Sequence, residues 1–234
     1  MNKILVVDGM SYGRPVEAFG DLTGNVDNFM KDPTQFNLVL FTGGADVSPE
    51  LYKHTSPKGE CFCNKPRDMR EIAIFEKALK HGIKMTGICR GFQFLNVMAG
   101  GYMIHHLDGH TGSTHDMATS RNEKLRVNSL HHQMAMLPDD ACLVGWSDER
   151  RSDVYIGDKD EPMSAPTYEV EAAIFPKINA AGVQYHPEMM QRDSAGFRWY
   201  EELVEALLAA ETMEEMVSFY AEGTEKCLCG TYAG

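Results

Sequence analysis

Two stretches of this 234-residue chain carry residue types that can do covalent chemistry together. The first is Gly87-Ile88-Cys89-Arg90-Gly91, in which a cysteine stands between glycines two before and two after it. A buried strand that feeds a helix through such a turn lifts the central side chain, because glycines tolerate the sharp backbone path. The helix that follows would aim free N–H groups and its positive dipole end at the sulfur. That environment favours thiolate over thiol and can hold an oxyanion. The other reading of Cys89 is a core thiol, since free cysteine is among the most buried residue types. The second stretch is Gly182-Val183-Gln184-Tyr185-His186-Pro187-Glu188. A cysteine nucleophile needs a base, and the base needs an orienting group. In an extended segment His186 and Glu188 would share one face, with Pro187 stiffening the link. The alternative is an exposed turn with an incidental histidine.

The elements around these residues must place them together. Ile4–Val7 and Phe36–Phe41 read as buried strands closed by Asp or Gly turn residues, and Ile83–Ile88 as the strand leading into Cys89. Fully apolar strands of this kind predict a parallel sheet with helices on both faces. Arg67–Gly82 has Ile72, Phe75, Ala78 and Leu79 at helical spacing, and Phe92–Gly101 reads as a helix closed by two glycines. Ser194–Ala210 is a third helix, with Phe197, Tyr200, Leu203, Val204 and Leu207 along one side. "LRVNSL", "CLVGWSD", "YEVEAAIFP" and "INAAGVQYHPE" read as strands, the last two as antiparallel additions at one edge of the sheet. Between the first two strands, glycines, prolines and asparagines leave room for one or two short helices. Asp8 and Ser11–Arg14 lie after the first strand, where open α/β sheets bind ligands, though a turn role fits them equally. Leu51–Pro66, polar and rich in Pro, Gly and Lys, reads as a mobile surface loop.

Composition bounds the function classes. With 43% hydrophobic and 24% charged residues the chain supports one sizeable core, and no repeat or linker divides it, so one domain over residues 1–234 is expected. A formal net charge of -12 argues against nucleic acid or an anionic membrane as partner. The N-terminal apolar run, Ile4–Val7, is too short for a signal-peptide core or a membrane span, and the six cysteines lack disulfide-scaffold spacing, so a reducing, cytoplasmic setting is expected.

"GICRGFQ", "VNSLHHQ" (Val127 to Gln133) and "GVQYHPE", in that order, resemble the class I glutamine amidotransferase superfamily, and most closely its γ-glutamyl hydrolase branch, of the γ-glutamyl-γ-aminobutyrate hydrolase type. "FTGGADVSPELY", "RDMREIAIFEKAL" and "AGGYMIHHL" support the likeness, which covers roughly residues 36 to 205. The resemblance implies a flavodoxin-like, mostly parallel sheet with helices on both faces and an added antiparallel edge. It implies a triad of Cys89 as nucleophile, His186 as general base and acid, and Glu188 as the group that orients the imidazole. Backbone N–H groups of Arg90 and of the Gly43-Gly44 turn would form the oxyanion hole, and Gln93 and His131 would border the substrate. The expected substrate is a small γ-glutamyl amide, cleaved through a γ-glutamyl thioester without a cofactor.

Within the superfamily, arginine after the nucleophile and the paired histidines of "SLHHQ" favour a stand-alone hydrolase. The alternative is a glutaminase subunit that supplies ammonia to a synthetase or ligase, and a catalytically inactive binding module is the remaining class. His131 has a second reading as a histidine satisfied by loop hydrogen bonds, and Gln93 as a brace for the oxyanion loop through its amide. The region before Gly43 is shorter than the family's, which predicts a sheet one strand short and a more open pocket. Residues 211–234 lie outside the resemblance, either covering that gap or mediating a homo-oligomer.

His105, His106, His110 and His115, with Asp108 and Asp116, could be taken for metal ligands, but they show no tetrahedral spacing pattern, so no metal is expected. The pairs Cys61-x-Cys63 and Cys227-x-Cys229 are expected as exposed thiols rather than zinc ligands or disulfides.

Overall fold

Apolar runs decide the centre of the fold. The computed structural model describes residues 3–221. Its strands are β1 (Lys3–Val7), β2 (Asp21–Thr23), β3 (Phe36–Phe41), β4 (Lys84–Ile88), β5 (Tyr102–Ile104), β6 (His106–Leu107), β7 (Thr111–Thr119), β8 (Lys124–Leu130), β9 (Met134–Met136), β10 (Cys142–Ser147), β11 (Tyr155–Ile156), β12 (Val170–Phe175) and β13 (Ala180–Val183). Its α-helices are α1 (Val26–Lys31), α2 (Lys65–Lys80), α3 (Arg90–Met98), α4 (Ala195–Ala209) and α5 (Met213–Ala221). Nine strands form one sheet in the order β2-β1-β3-β4-β13-β12-β10-β7-β8. Neighbours from β2 to β13 run parallel, and those from β13 to β8 antiparallel. This is the expected α/β architecture, a large sheet flanked by helices with an antiparallel extension.

Alternate residues of each central strand feed two cores, as the two-residue period of a strand requires. Val39 and Phe41 of β3 face the side covered by α2 and α3, with Ile74, Phe75, Phe92 and Leu95. Leu38 and Leu40 face the other side, with Tyr200, Leu203 and Leu207 of α4. Met213, Met216 and Tyr220 of α5 join that second core, so the start of the stretch beyond the family resemblance packs on the sheet's helical layer. Cys227 and Cys229 lie outside the described residues. Among the described residues no helix is long and apolar enough to cross a membrane.

Three expectations need correction. β13 is not an added edge strand: it pairs parallel with β4 (Val183↔Ile88) on one side and antiparallel with β12 on the other. A strand buried on both faces reads as the same apolar run whichever way its partners point, so sequence pattern could not tell the two cases apart. The interval between β1 and β3 holds, besides short helices, the three-residue strand β2, which pairs with β1 (Lys3↔Asp21) and is too short to show a period. The polar loop before α2 is tied down rather than loose. Ser56 Oγ and Lys58 N both donate to Asp160 Oδ2 (3.0 and 2.7 Å), and Asp46 N donates to the Phe62 carbonyl (3.1 Å).

The start of α3 approaches the sheet as closely as glycine allows. A Cβ on Gly91 would overlap the backbone carbonyl of Phe41, and one on Gly87 would stand 2.5 Å from the Gly91 carbonyl carbon. Gly91→Ala is therefore expected to cost about 1–3 kcal/mol through overpacking against backbone that cannot yield. Thermal denaturation should register this as a Tm lower by several degrees.

Candidate active site

The C-terminal ends of three adjacent strands carry the candidate residues. Phe41 pairs with Gly87 across β3 and β4, and Ile88 with Val183 across β4 and β13. The chain thus leaves the sheet side by side at Gly43, at Cys89 and just before His186. Cys89 is the N-cap of α3 and has φ 52° and ψ -111°. A non-glycine residue at such a backbone position is held there by its surroundings. Here its N–H donates to the Val183 carbonyl (2.9 Å) and its carbonyl accepts from Gln93 N (3.0 Å). The tight turn anticipated from the flanking glycines is present, and Cys89 is 7% exposed at the helix N-terminus.

His186 is fixed at backbone and side chain. Asn128 forms a reciprocal pair with its peptide group, donating from Nδ2 to the His186 carbonyl (2.9 Å) and accepting from His186 N (2.8 Å). The imidazole Nδ1 is 2.7 Å from Glu188 Oε1, with both side chains buried. The two meet because Pro187–Met189 form a 3-10 turn, not because they share the face of a strand. Arg14 Nη1 donates to the carbonyls of Glu188 (3.0 Å) and Met190 (2.9 Å), which holds this turn against the N-terminal segment. Burial disfavours the imidazolium, but hydrogen bonds to Cys89 and Glu188 outweigh it and push the His186 pKa up to about 10.

A raised pKa in the folded state ties stability to protonation. The contribution of His186 is full below its unfolded pKa of about 6.5 and is lost as pH rises through about 10. The Tm difference between the wild type and His186→Ala should therefore shrink steadily across that window. Differential scanning fluorimetry over pH reads it directly.

Gly43 and Gly44 sit where backbone must come close. A Cβ on Gly43 would stand 2.6 Å from the Tyr12 hydroxyl and 3.1 Å from His186 Cε1, and Gly44 has φ +134°. The turn is clamped by Arg67 of α2, whose Nη1 donates to the Gly43 carbonyl and Nη2 to the Thr42 carbonyl, each at 2.9 Å, while Nε donates to Glu71 Oε1 at 2.7 Å. Tyr12 roofs the site with its ring 6.1 Å from that of His186. Burial raises its pKa, and the nearby Glu188 and Cys89 raise it further.

The structure separates the remaining expectations. Arg90 contributes its backbone at the first turn of α3, but its side chain turns inward, 1% exposed. There it is paired with Asp68 and Glu71 and donates from Nε to the Ala45 carbonyl (3.2 Å). It thus holds the Ala45 carbonyl beside the Gly43-Gly44 turn from inside the core, with its guanidinium buried. Gln93 Nε2 donates to the Gln133 carbonyl (3.2 Å) and to Gln184 Oε1 (3.1 Å), deep in the interior. His131 is likewise interior, its Nδ1 donating to the Gln133 carbonyl (2.9 Å). Gln93, on α3, and His131 thus meet at the Gln133 carbonyl.

The histidine-rich stretch disperses in the same way. His105 pairs with Asp160, Asp108 accepts from Ser152, and Asp116 from Arg126, while only His110 and His115 come together. Cys61 is half-buried beside Tyr52 and Gln133, and Cys63 is exposed, both as free thiols. Asn128 and Arg67 were not singled out from the sequence. Asn128 lies inside the "VNSLHHQ" block, and Arg67 opens the "RDMRE" block, but nothing local says what either side chain reaches.

The sequence pattern of the family described as Peptidase C26 matches residues 23–155, which takes in Gly43, Gly44, Cys89 and His131 and stops before His186. Over 135 residues, 49% of this chain, the protein is 34% identical to YvdE of Lactococcus lactis subsp. lactis (strain IL1403), described as glutamine amidotransferase-like. The match spans 56% of that relative's length. It is 26% identical over 172 residues to the carbamoyl phosphate synthase small chain of Staphylococcus saprophyticus, covering 72% of this chain and 44% of that one. Its fold is similar to that of a glutamine amidotransferase from Thermotoga maritima, with a TM-score of 0.54, 17% identity, and 94% and 98% of the two chains covered. On this family match over residues 23–155, the chain belongs to the peptidase C26 family, a class I glutamine amidotransferase-like family.

Proposed function

We propose that this protein is a cysteine-dependent hydrolase of γ-glutamyl amide bonds, acting on glutamine or a γ-glutamyl amine without a cofactor. The observation that carries the reading is Cys89 held at a positive φ on the first turn of α3, with the His186–Glu188 pair against it. In this mechanism the Cys89 sulfur attacks the γ-carbonyl carbon. The oxyanion is met by backbone N–H groups of Arg90 and of the Gly43-Gly44 turn, and removing such a donor typically costs about 3–4 kcal/mol of barrier. Protonated His186 passes its proton to the departing nitrogen, so ammonia or an amine leaves and a γ-glutamyl thioester remains. His186, now neutral, takes a proton from water as the water attacks the thioester, glutamate leaves, and the Cys89 thiolate and protonated His186 are restored. Glu188 holds the imidazole Nδ1–H throughout.

A second reading is favoured by the likeness to the carbamoyl phosphate synthase small chain. In it the same chemistry on glutamine feeds ammonia to a separate synthetase. Incubating the purified protein with glutamine and with γ-glutamyl amines, and following ammonia, amine and glutamate, separates the two. Turnover of γ-glutamyl amines by the protein alone supports the hydrolase. Activity confined to glutamine and raised by a synthetase would overturn it in favour of the second reading.

A further inference from the structure

The antiparallel half of the sheet buries a group of ionisable side chains that the proposed chemistry does not use. His110 precedes β7, His115 lies in β7, His131 follows β8 and Glu171 lies in β12, and none is more than 5% exposed. Three imidazoles converge on one carboxylate oxygen. Glu171 Oε1 is 3.0 Å from His115 Nε2, 3.5 Å from His110 Nδ1 and 3.7 Å from His131 Nε2. Yet neither oxygen of Glu171, neither nitrogen of His115 and not His131 Nε2 has an oriented hydrogen bond.

Two of these rings are locked by their far nitrogens. His131 Nδ1 faces the Gln133 carbonyl, which can only accept, so Nδ1 carries the proton and Nε2 of the neutral ring turns a lone pair toward Glu171. His110 Nε2 is 3.1 Å from Glu169 Oε2 and donates there, leaving the lone pair on Nδ1. The Ser129 hydroxyl, 3.1 Å from Nδ1, donates its own proton to the His110 carbonyl instead (2.8 Å). Lone pairs facing a buried carboxylate repel it unless a cation lies between them.

The ligand atoms of His110, His115 and Glu171 lie within 4.8 Å of one another. Metal–ligand bonds of about 2.0–2.1 Å put ligand atoms about 3.3–3.4 Å apart in a tetrahedral site, and the His115 and His110 distances to Oε1, 3.0 and 3.5 Å, bracket that value. Glu169 and the Gln133 carbonyl supply the outer hydrogen bonds that fix ligating imidazoles. Glu171 stands at an irregularity of β12, between the pairs Gly145↔Ala172 and Trp146↔Val170, a device that re-aims a side chain. His115 also lines a polar cavity of about 280 Å³ together with Asp116, Asp148, Glu149 and the arginines Arg126, Arg150 and Arg151.

We propose that His110, His115 and Glu171 bind a divalent transition-metal ion of the zinc class. The ion ties the start of β7 to β12. An imidazole-rich set of this kind selects zinc-like ions over magnesium or calcium.

The test uses the full chain, stripped with a chelator and titrated with cobalt(II) and then with zinc. The expected result is one equivalent of cobalt with the visible bands of a tetrahedral nitrogen and oxygen site and no sulfur-to-cobalt charge-transfer band. Zinc should displace it and raise Tm. His115→Gln and Glu171→Gln should each weaken binding at least tenfold. Because either variant could fold poorly, the cobalt spectrum of the wild type decides independently. Absence of tight cobalt or zinc binding would overturn the proposal and leave an imidazolium–carboxylate cluster. A charge-transfer band, or binding unchanged in both variants, would overturn it in favour of cysteine ligation.

Discussion

Cys89→Ala is expected to abolish release of ammonia or amine from γ-glutamyl amides, with turnover falling roughly 10⁴–10⁶-fold. Nothing else in the site can take over bond formation. Glu188 is committed to His186 Nδ1, and Tyr12 has a pKa raised by burial and by its neighbours. The substitution removes one sulfur atom at the surface of the second core and leaves the backbone path at φ 52° unchanged, so Tm should move little. Stopped assays with mass spectrometry read both halves of the result: no product, and no γ-glutamyl adduct on the variant. A variant that retains turnover within tenfold of wild type would remove the thioester mechanism.

Arg90→Met should act in the opposite manner, on stability before chemistry. The guanidinium is buried with Asp68 and Glu71, and its loss leaves the buried Asp68 carboxylate without its cation while Glu71 keeps only Arg67. Breaking a buried pair in this way costs about 3–5 kcal/mol, which in a chain of this size lowers Tm by on the order of 10 °C. Because Arg90 also holds the Ala45 carbonyl beside the Gly43-Gly44 turn, proposed to bind the oxyanion, kcat should fall more than KM rises. Pairing the change with Asp68→Asn, so that the charge left without its cation is removed as well, should recover part of the lost stability. A variant with wild-type Tm and only a raised KM would place the guanidinium against substrate.

How much of this was legible beforehand depends on the range of the interaction. The Cys89 turn was readable because its requirements are local: glycines at fixed offsets, an apolar strand before and an apolar helix after. The faces of α2 and α4 were readable for the same reason, since Phe75 and Ala78, like Tyr200 and Leu203, are buried as their spacing predicts. The partner direction of β13 was not, because a strand buried on both sides carries no mark of its neighbours' sense. Glu188 was chosen correctly as the neighbour of His186 by chemical type, but the reason for their meeting is a 3-10 turn rather than strand alternation.

What the sequence by itself determined is the inventory and the local geometry: a cysteine on a glycine-flanked turn, a histidine with a carboxylate two residues on, a glycine pair after a strand, and helices with one apolar side. Those follow from backbone sterics and periodicity, which act over a few residues. Only the tertiary structure decided where long side chains end. It turned Arg90 inward to Asp68 and Glu71, sent Arg67 to the glycine turn, and brought Glu171 to His110 and His115. The physical reason is that burial makes a charge seek whichever partner the packing leaves within reach, and packing is settled by the whole sheet rather than by neighbours in the chain.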